Sequence, residues 1–142
     1  MRDNNENREW CKHIALSLEA ITNGRMYRCP QCGEFVEDNH LFCGCGCQVD
    51  LIGDEENDVE PWEQVTLYDY FEGGVYDVEF RSGSDREYRS VRIMVACGGP
   101  NIFIDTASQA VELYWWTDRA SYLIDSDTVK EIDAWAEEWY QC

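Results

Sequence analysis

Apolar residues recur at helical spacing near both ends of the chain. In residues 4–23 they follow one another three or four positions apart, and Asn23-Gly24 supplies a helix stop. Residues 126–140 show the same period, with Ser126 as the expected N-cap. The apolar positions of these two predicted helices are Trp10, Ile14, Leu18 and Ile21, then Val129, Ile132, Ala136 and Trp139.

Between these helices the pattern changes to the alternation typical of strands. Four segments, 75–81, 88–97, 102–104 and 110–116, are separated by turns rich in glycine, serine, proline or asparagine. Four strands followed by a helix predict an antiparallel meander with one face covered by that helix. The expected fold class is therefore α+β, with an N-terminal helix, a four-stranded antiparallel sheet and a C-terminal helix.

Five of the eight cysteines fall between the first helix and the strands. The run C-P-Q-C-G from Cys29 to Gly33 holds Cys32 and places two thiolates on one side of a tight loop. Farther along, Cys43, Cys45 and Cys47 alternate with glycines. Closely spaced cysteines in a reducing compartment are metal ligands more often than disulfides, and Zn²⁺ prefers a tetrahedron of thiolates. The sequence therefore predicts a zinc site built from these five cysteines.

The second half of this site stays open at the level of sequence. Cys43 with Cys45 best preserves the Phe-Cys…Cys-Gly context of a zinc ribbon, but either residue could pair with Cys47 instead. His40 is a further candidate, and one thiol would remain spare. Four thiolates leave no open coordination position, so the expected role of the zinc is structural.

An acidic stretch follows the cysteines and contains no lysine or arginine. It favours a linker, and the expected organisation is an N-terminal helix (1–24), a zinc-ribbon module (25–52), an acidic linker (53–63) and an α+β domain (64–142). The carboxylates of the stretch are Asp50, Asp54, Glu55, Glu56, Asp58, Glu60 and Glu63.

The net charge of −18, from 29 acidic and 11 basic residues, restricts the partners of the chain. Binding nucleic acid directly or lying on an anionic membrane requires a basic surface, so neither is expected. The favoured partner is a basic protein surface, in particular a nucleic-acid-binding cleft that carboxylates on a rigid element could occupy by mimicking phosphates. The carboxylates predicted to bind such a partner are Asp127, Glu131, Asp133, Glu137 and Glu138.

Basic and nucleophilic residues indicate no catalytic site. Histidine occurs twice, and the chain contains no G-x-S-x-G, P-loop or H-E-x-x-H motif; Cys97 has no histidine near it in sequence. The chain is therefore not expected to be an enzyme. Four arginines in or beside the first two predicted strands are expected to form cross-strand ion pairs. They are Arg81, Arg86, Arg89 and Arg92, with Asp77, Glu79 and Glu87 as expected partners.

The start of the chain and its hydropathy favour a cytoplasmic protein. Residues 1–9 are polar and lack the apolar stretch of a secretory signal. No uninterrupted apolar run approaches the roughly 18 residues that a membrane span needs. A cytoplasmic location is the expectation from these two features.

Two parts of the chain resemble known proteins. Residues 26–52 resemble zinc ribbons, which serve many functions. The run YRSVRIMVACGGPNI (Tyr88–Ile102), followed by VELYWW (Val111–Trp116), looks like small accessory proteins of bacterial mobile elements and phages, a likeness that covers residues 64–142.

In size and acidity alone, the chain also resembles the anti-CRISPR and anti-restriction proteins that such elements carry. This resemblance implies a stoichiometric inhibitor of a host defence nuclease, acting by acidic nucleic-acid mimicry. The alternative is a zinc-ribbon adaptor of a mobile element that binds another protein through the ribbon or through exposed aromatic residues.

Overall fold

The computed structural model describes residues 4–141 and divides the chain into two compact units. The first, which we call the cysteine unit, is Ala20–Thr66. The second, the sheet unit, combines the chain up to Glu19 with the chain from Leu67 onward. The cysteine unit is thus inserted into the sequence of the sheet unit.

The described residues form three helices and eight strands in a mixed α+β fold with antiparallel sheets. The N-terminal and C-terminal helices are confirmed, and a further short helix follows the acidic stretch. None of the helices within residues 4–141 has the length and apolar character of a membrane span. In chain order the elements are α1 (Asn4–Thr22), β1 (Met26–Arg28), β2 (Phe35–Glu37), β3 (Glu63–Gln64), α2 (Leu67–Glu72), β4 (Asp77–Ser82), β5 (Tyr88–Ala96), β6 (Asn101–Asp105), β7 (Ala110–Trp115), β8 (Asp118–Leu123) and α3 (Ser126–Tyr140).

Helix α1 ends at the glycine that the sequence indicates. Gly24 has φ +72°, its N–H donates to the carbonyl of Ile21, and the N–H of Arg25 donates to the carbonyl of Ala20. These two bonds are the pair that defines a Schellman cap. A Cβ at Gly24 would lie 2.4 Å from Gln64 Nε2 on β3, so both the backbone conformation and the available space require glycine.

Helix α3 begins one residue earlier than the capping pattern predicts. The N-cap is Asp125, not Ser126, and its backbone has φ −55° and ψ 141°, outside the helical region. The carbonyl of Asp125 accepts the first helical hydrogen bond, from the N–H of Val129 at 3.0 Å. Ser126 is instead the first helical residue, and the side chain of Asp125 makes no capping hydrogen bond.

The sheet unit contains a five-stranded sheet, so the prediction of four strands is wrong by one. The strands follow the order β4-β5-β6-β7-β8, and each neighbouring pair is antiparallel. A separate three-stranded sheet, β2-β1-β3, lies in the cysteine unit.

The additional strand, β8, carries weak sequence signals. Its burial alternates between half-buried and exposed, as expected for a strand at the edge of a sheet. The connection from β7 contains only Trp116 and Thr117, and Trp116 adopts a positive φ of 54° that glycine or asparagine normally supplies. The sequence therefore has no glycine or asparagine to mark the turn between β7 and β8.

One face of the sheet forms the apolar core of the sheet unit. The side chains of Ile93, Ile102, Ile104 and Leu113 have no exposed surface, and Ile132 of α3 is equally buried. Fully burying each such aliphatic side chain contributes about 1.5–3 kcal/mol relative to leaving it in water. These residues come together because α3 packs on one face of the sheet, as expected.

The opposite face carries ion pairs, but with partners other than those expected. Arg81 donates to both carboxylate oxygens of Asp105 at 2.9 Å, and Arg92 lies 3.7 Å from the same carboxylate and 3.8 Å from Glu112. Arg89 pairs with Asp85 in the turn before β5. The arginines thus reach carboxylates on β6, on β7 and in the turn, because residues facing the same side of a sheet approach across strands.

We expect Asp105→Asn to destabilise the sheet unit by about 2 kcal/mol at neutral pH, because it removes the charge of the buried carboxylate in a bidentate pair with the half-buried Arg81. Asp105 is 3% exposed, and its Oδ1 also accepts the backbone N–H of Ala107. Burial alone would raise the pKa of Asp105, but Arg81 and the Ala107 N–H hold it below the ordinary 3.8. Urea unfolding monitored by tryptophan fluorescence measures the change.

The pH dependence of this difference follows from the depressed pKa. The stabilisation from Asp105 is complete above the unfolded-state pKa near 3.9 and is lost as the pH falls through the lower folded-state pKa. The gap between wild type and Asp105→Asn should therefore narrow below pH of about 4. Asp85→Asn is the matched control, since its pair with Arg89 is exposed to solvent and should contribute much less to stability. Equal effects of the two substitutions would contradict this account.

Candidate metal centre

The first cysteine pair lies in the turn between β1 and β2. The N–H of Cys29 donates to the carbonyl of Glu34 at 2.8 Å, and the N–H of Gly33 donates to the carbonyl of Cys29 at 2.9 Å. Gly33 adopts φ +76°, a conformation that residues with a Cβ rarely adopt. This tight turn directs Cys29 and Cys32 to the same side of the hairpin.

A second tight turn presents the other cysteines. The N–H of Cys43 donates to the carbonyl of Cys47 at 2.8 Å, and the N–H of Gly46 donates to the carbonyl of Cys43 at 2.9 Å. Phe42 and Gln48 form an antiparallel bridge at the base of this turn. Gly46, at φ +98°, plays the same conformational role as Gly33 in the first turn.

Four sulfurs converge between the two turns. The Sγ atoms of Cys29, Cys32, Cys43 and Cys45 all lie within 4.8 Å of one another. Cys29 Sγ lies 3.6 Å from Cys45 Sγ, and Cys32 Sγ lies 3.2 Å from Cys43 Sγ. A tetrahedral metal with metal–sulfur bonds near 2.3 Å would hold its sulfurs about 3.8 Å apart. The cluster is therefore suited to hold a metal ion with small adjustments of the side chains.

The other two candidate ligands, Cys47 and His40, are not part of this group of four sulfurs. Cys47 does not share the mutual spacing of the four sulfurs, although it packs against the buried residues beneath them. His40 is exposed, and its backbone N–H donates to the carbonyl of Glu37. Among the described residues, the structure thus brings Cys43 and Cys45 together with the first pair and leaves Cys47 as the spare thiol.

Backbone N–H groups favour negative charge on two of the sulfurs. A backbone hydrogen bond from Cys32, joined by one from Gln31, lowers the pKa of Cys29 to about 6. A backbone hydrogen bond from Cys47 likewise holds the pKa of Cys45 below its usual value. Metals bind the thiolate form, so these donors prepare Cys29 and Cys45 as ligands.

The remaining thiols hold their protons more strongly. For Cys43, a backbone hydrogen bond from Cys45 favours the thiolate, but Glu34 and burial outweigh it and raise the pKa. Cys43 Sγ donates to Glu34 Oε2 at 3.0 Å, and the N–H of Gly44 lies 3.3 Å from the same oxygen. The neighbouring Cys45 sulfur and burial raise the pKa of Cys47 to about 11. A metal ion at the four sulfurs would displace the proton of Cys43 and weaken its bond to Glu34.

A small apolar cluster supports the sulfurs from beneath. Its buried members are Cys29, Val36, Cys43 and Trp62, with Trp62 only 6% exposed. Trp62 was not predicted to contribute to the site, because it lies in the acidic stretch that was predicted to be a linker. The signal that could have found it is a tryptophan in an otherwise polar segment, preceded by a proline that restricts the backbone.

The acidic stretch that contains Trp62 is an ordered loop. Asp50 Oδ1 accepts the N–H groups of Ile52 and Gly53, and the N–H of Trp62 donates to the carbonyl of Asp50 at 2.8 Å. Asp54 and Val59 exchange two backbone hydrogen bonds. We call residues 54–63 the acidic loop. Its other carboxylates are exposed: Glu55, Glu56, Asp58, Glu60 and Glu63.

Within this loop, Asp54 is a structural residue. Its carboxylate accepts the side-chain N–H of Asn57 at 2.6 Å and the backbone N–H of Glu56 at 3.0 Å. These bonds, led by that from the Asn57 side chain, lower the pKa of Asp54. Asp54 therefore remains charged at neutral pH, and its hydrogen bonds order this part of the loop.

The five carboxylates predicted on α3 lie on two sides of the helix. Asp127, Glu131 and Glu138 share one side, because positions i, i+4 and i+11 lie along nearly the same line of a helix. Asp133 and Glu137 lie on the other side, and the hydroxyl of Tyr88 donates to Asp133 at 2.5 Å. Asp133 is thus half-buried and tied to the sheet, whereas the remaining four are exposed.

Comparison of the chain with protein families, with curated proteins and with solved structures found no match. The interpretation of the site therefore depends on its geometry and chemistry.

We expect Cys45→Ser and Cys47→Ser to separate the ligands from the spare thiol. Cys45→Ser removes one of the four converging sulfurs and should weaken metal binding by more than roughly 100-fold. Cys47→Ser should keep one metal per chain with four thiolate ligands. Titration with Co²⁺, whose thiolate absorption bands report the number of sulfur ligands, measures both properties.

Both variants replace a cysteine in the same turn by the same residue, so each serves as the control for the other. A loss of metal binding on Cys47→Ser as large as that on Cys45→Ser would contradict the assignment of the four ligands.

Proposed function

We propose that the chain is a non-catalytic protein that binds a basic surface of another protein through its acidic residues. Its zinc-ribbon module keeps part of this acidic surface ordered. The metal is Zn²⁺, which favours four thiolates in a tetrahedron, and its role is structural because no coordination position remains open. The leading target is the nucleic-acid-binding cleft of a host defence nuclease, either RNA-guided or a restriction enzyme.

The observation that carries this proposal is the packing of Trp62 against the metal-ligating residues. Trp62 belongs to the acidic loop, and it lies in one apolar cluster with Cys29 and Cys43. A flexible acidic linker would lose conformational entropy on binding, whereas a loop anchored beside a metal centre is already ordered. The zinc site therefore supports the carboxylates that would meet the partner.

The distribution of charge also supports a protein partner. Arginines of the sheet unit are engaged with Asp105, Glu112 and Asp85, as described above. The carboxylates of the acidic loop and of one side of α3 are exposed on ordered backbone. Along this side of α3, Asp127 and Glu131 are four residues apart, roughly 6 Å, and Glu131 and Glu138 are seven residues apart, roughly 10 Å. Such a line of negative charge suits a cleft that normally follows a phosphate backbone.

The alternative function, a zinc-ribbon adaptor, draws support from a different surface. Four apolar side chains in the segments beside the second cysteine turn are exposed: Leu41 (76%), Phe42 (59%), Leu51 (38%) and Ile52 (91%). Exposed apolar residues of this size are typical of surfaces that contact another protein. An adaptor would bind through these residues, and its affinity would change little with salt.

Removal of the metal should release the acidic loop before it affects the sheet unit. The apolar cluster next to the sulfurs has only a few members, and metal binding contributes folding free energy directly. Treatment with a chelator should therefore increase hydrogen exchange in the backbone of residues 50–63 by more than roughly tenfold, since local opening becomes favourable.

Hydrogen exchange measured by mass spectrometry tests this with and without added Zn²⁺. The strands β5 to β7 serve as the internal control, because their core lies in the other unit. Unchanged exchange in residues 50–63 after the metal has left would show that the loop does not depend on the metal.

Inhibition of purified defence nucleases tests the proposed function itself. The chain should inhibit cleavage at a 1:1 ratio at low salt, and the inhibition should weaken as salt rises. The variant Glu55→Gln/Glu56→Gln/Glu60→Gln should weaken inhibition by roughly tenfold or more, a loss of about 1.4 kcal/mol. Leu41→Ser/Ile52→Ser is the control that affects an adaptor surface instead. Absence of inhibition at low salt across RNA-guided and restriction nucleases would reject this function, and binding lost only in the control variant would favour the adaptor.

A further inference from the structure

The sheet unit contains an apolar groove that neither the metal centre nor the acidic loop uses. Residues of α2, β4 and α3 line it, and its volume is about 760 Å³, within the range of sites that bind side chains or small ligands. Its walls are mainly aromatic and aliphatic: Phe71, Val78, Phe80, Trp135 and Trp139.

The aromatic residues of this groove remain partly open to solvent. Trp135 contacts Phe71 with ring centroids 4.4 Å apart and Trp139 with centroids 5.8 Å apart. Trp139 is nevertheless 59% exposed, and Tyr68 at the edge of the groove is 52% exposed. Tryptophan and tyrosine are the residues most enriched where binding energy concentrates in protein interfaces. The groove thus has the composition of a docking surface.

The charge around the groove specifies the chemistry of the occupant. Glu72 lines the groove, and none of the eight lining residues is a lysine or arginine. Glu131 and Glu138 are exposed and lie four residues before and three residues after Trp135, on the same side of α3. A segment with apolar side chains flanked by lysine or arginine would therefore meet both an apolar floor and acidic edges.

We infer that this groove binds a basic, amphipathic peptide segment of the partner protein, with an apolar side chain seated against Trp135 and Trp139. The inference rests on the proposed function, since it assigns the partner's basic surface to a particular site. It adds to the acidic loop a second contact, of different chemistry, in the other unit of the chain.

A synthetic peptide pair provides the test. The first peptide is a 14-residue amphipathic sequence of leucine and lysine labelled with fluorescein, and the second replaces each leucine by serine at unchanged charge. Fluorescence anisotropy should show binding of the leucine peptide to the zinc-loaded chain at least fivefold tighter than binding of the serine peptide. Equal affinities would show that charge alone attracts the peptide and would overturn the inference.

Matched variants locate the site. Trp139→Ala should weaken binding of the leucine peptide by fivefold or more, whereas Trp116→Ala, which removes a tryptophan that is 90% exposed in the β7–β8 turn, should not. Glu131→Gln/Glu138→Gln should weaken binding and reduce its salt dependence more than Glu55→Gln/Glu56→Gln in the acidic loop. Equal effects of the two tryptophan variants, or of the two glutamate pairs, would overturn the inference.

A measurement on the unaltered groove keeps the test independent of folding defects. In ¹H–¹⁵N spectra, the indole N–H resonance of Trp139, which is 59% exposed in the free chain, should move when the leucine peptide covers this side chain. An unmoved resonance at saturation would overturn the inference. The groove and the proposed function can also fail separately: nuclease inhibition lost in the acidic-loop variant but unchanged in Trp139→Ala would reject the groove and keep the function.

Discussion

The convergence of four cysteine sulfurs is the interaction on which the cysteine unit depends. Strands of two or three residues and an apolar cluster of a few side chains cannot by themselves offset the entropy of ordering the segment. A metal held by Cys29, Cys32, Cys43 and Cys45 would supply the missing free energy and would fix both turns at once. Trp62 packs against two of these cysteines and so anchors the acidic loop, which contains none of the four ligands.

The sheet unit obtains its stability in a different way. Strands β5, β6 and β7 bury a continuous set of aliphatic side chains, and α3 adds Ile132 to the same core. On the opposite face, the carboxylate of Asp105 accepts both N–H groups of Arg81. Arg81, Arg89 and Arg92 thus pair with carboxylates of the sheet unit itself, whereas other carboxylates of this strongly acidic chain are exposed at its surface.

Periodicity and cysteine spacing were sufficient to predict both long helices, the class of the fold and the residues of the cysteine cluster. They failed where the controlling interaction is distant in sequence. Trp116 turns the chain at a positive φ without a glycine, so β8 was missed. Trp62 is buried only because the cysteine turns approach it, and a composition of acidic residues concealed this packing. The selection of Cys45 over Cys47 depends on the geometry of two turns, which residue spacing alone does not determine.

Because the cysteine unit is inserted into the sequence of the sheet unit, the metal can influence the folding of both units. Pairing of Tyr27 with Gln64 brings the beginning and the end of the cysteine unit side by side on β1 and β3. In the folded chain, the unit therefore acts as a short connection between α1 and α2. If the unit unfolds, the same residues become a long flexible loop, and closing that loop costs more conformational entropy. Availability of a metal ion would then influence how readily the N-terminal helix finds its place in a unit that contains no ligand.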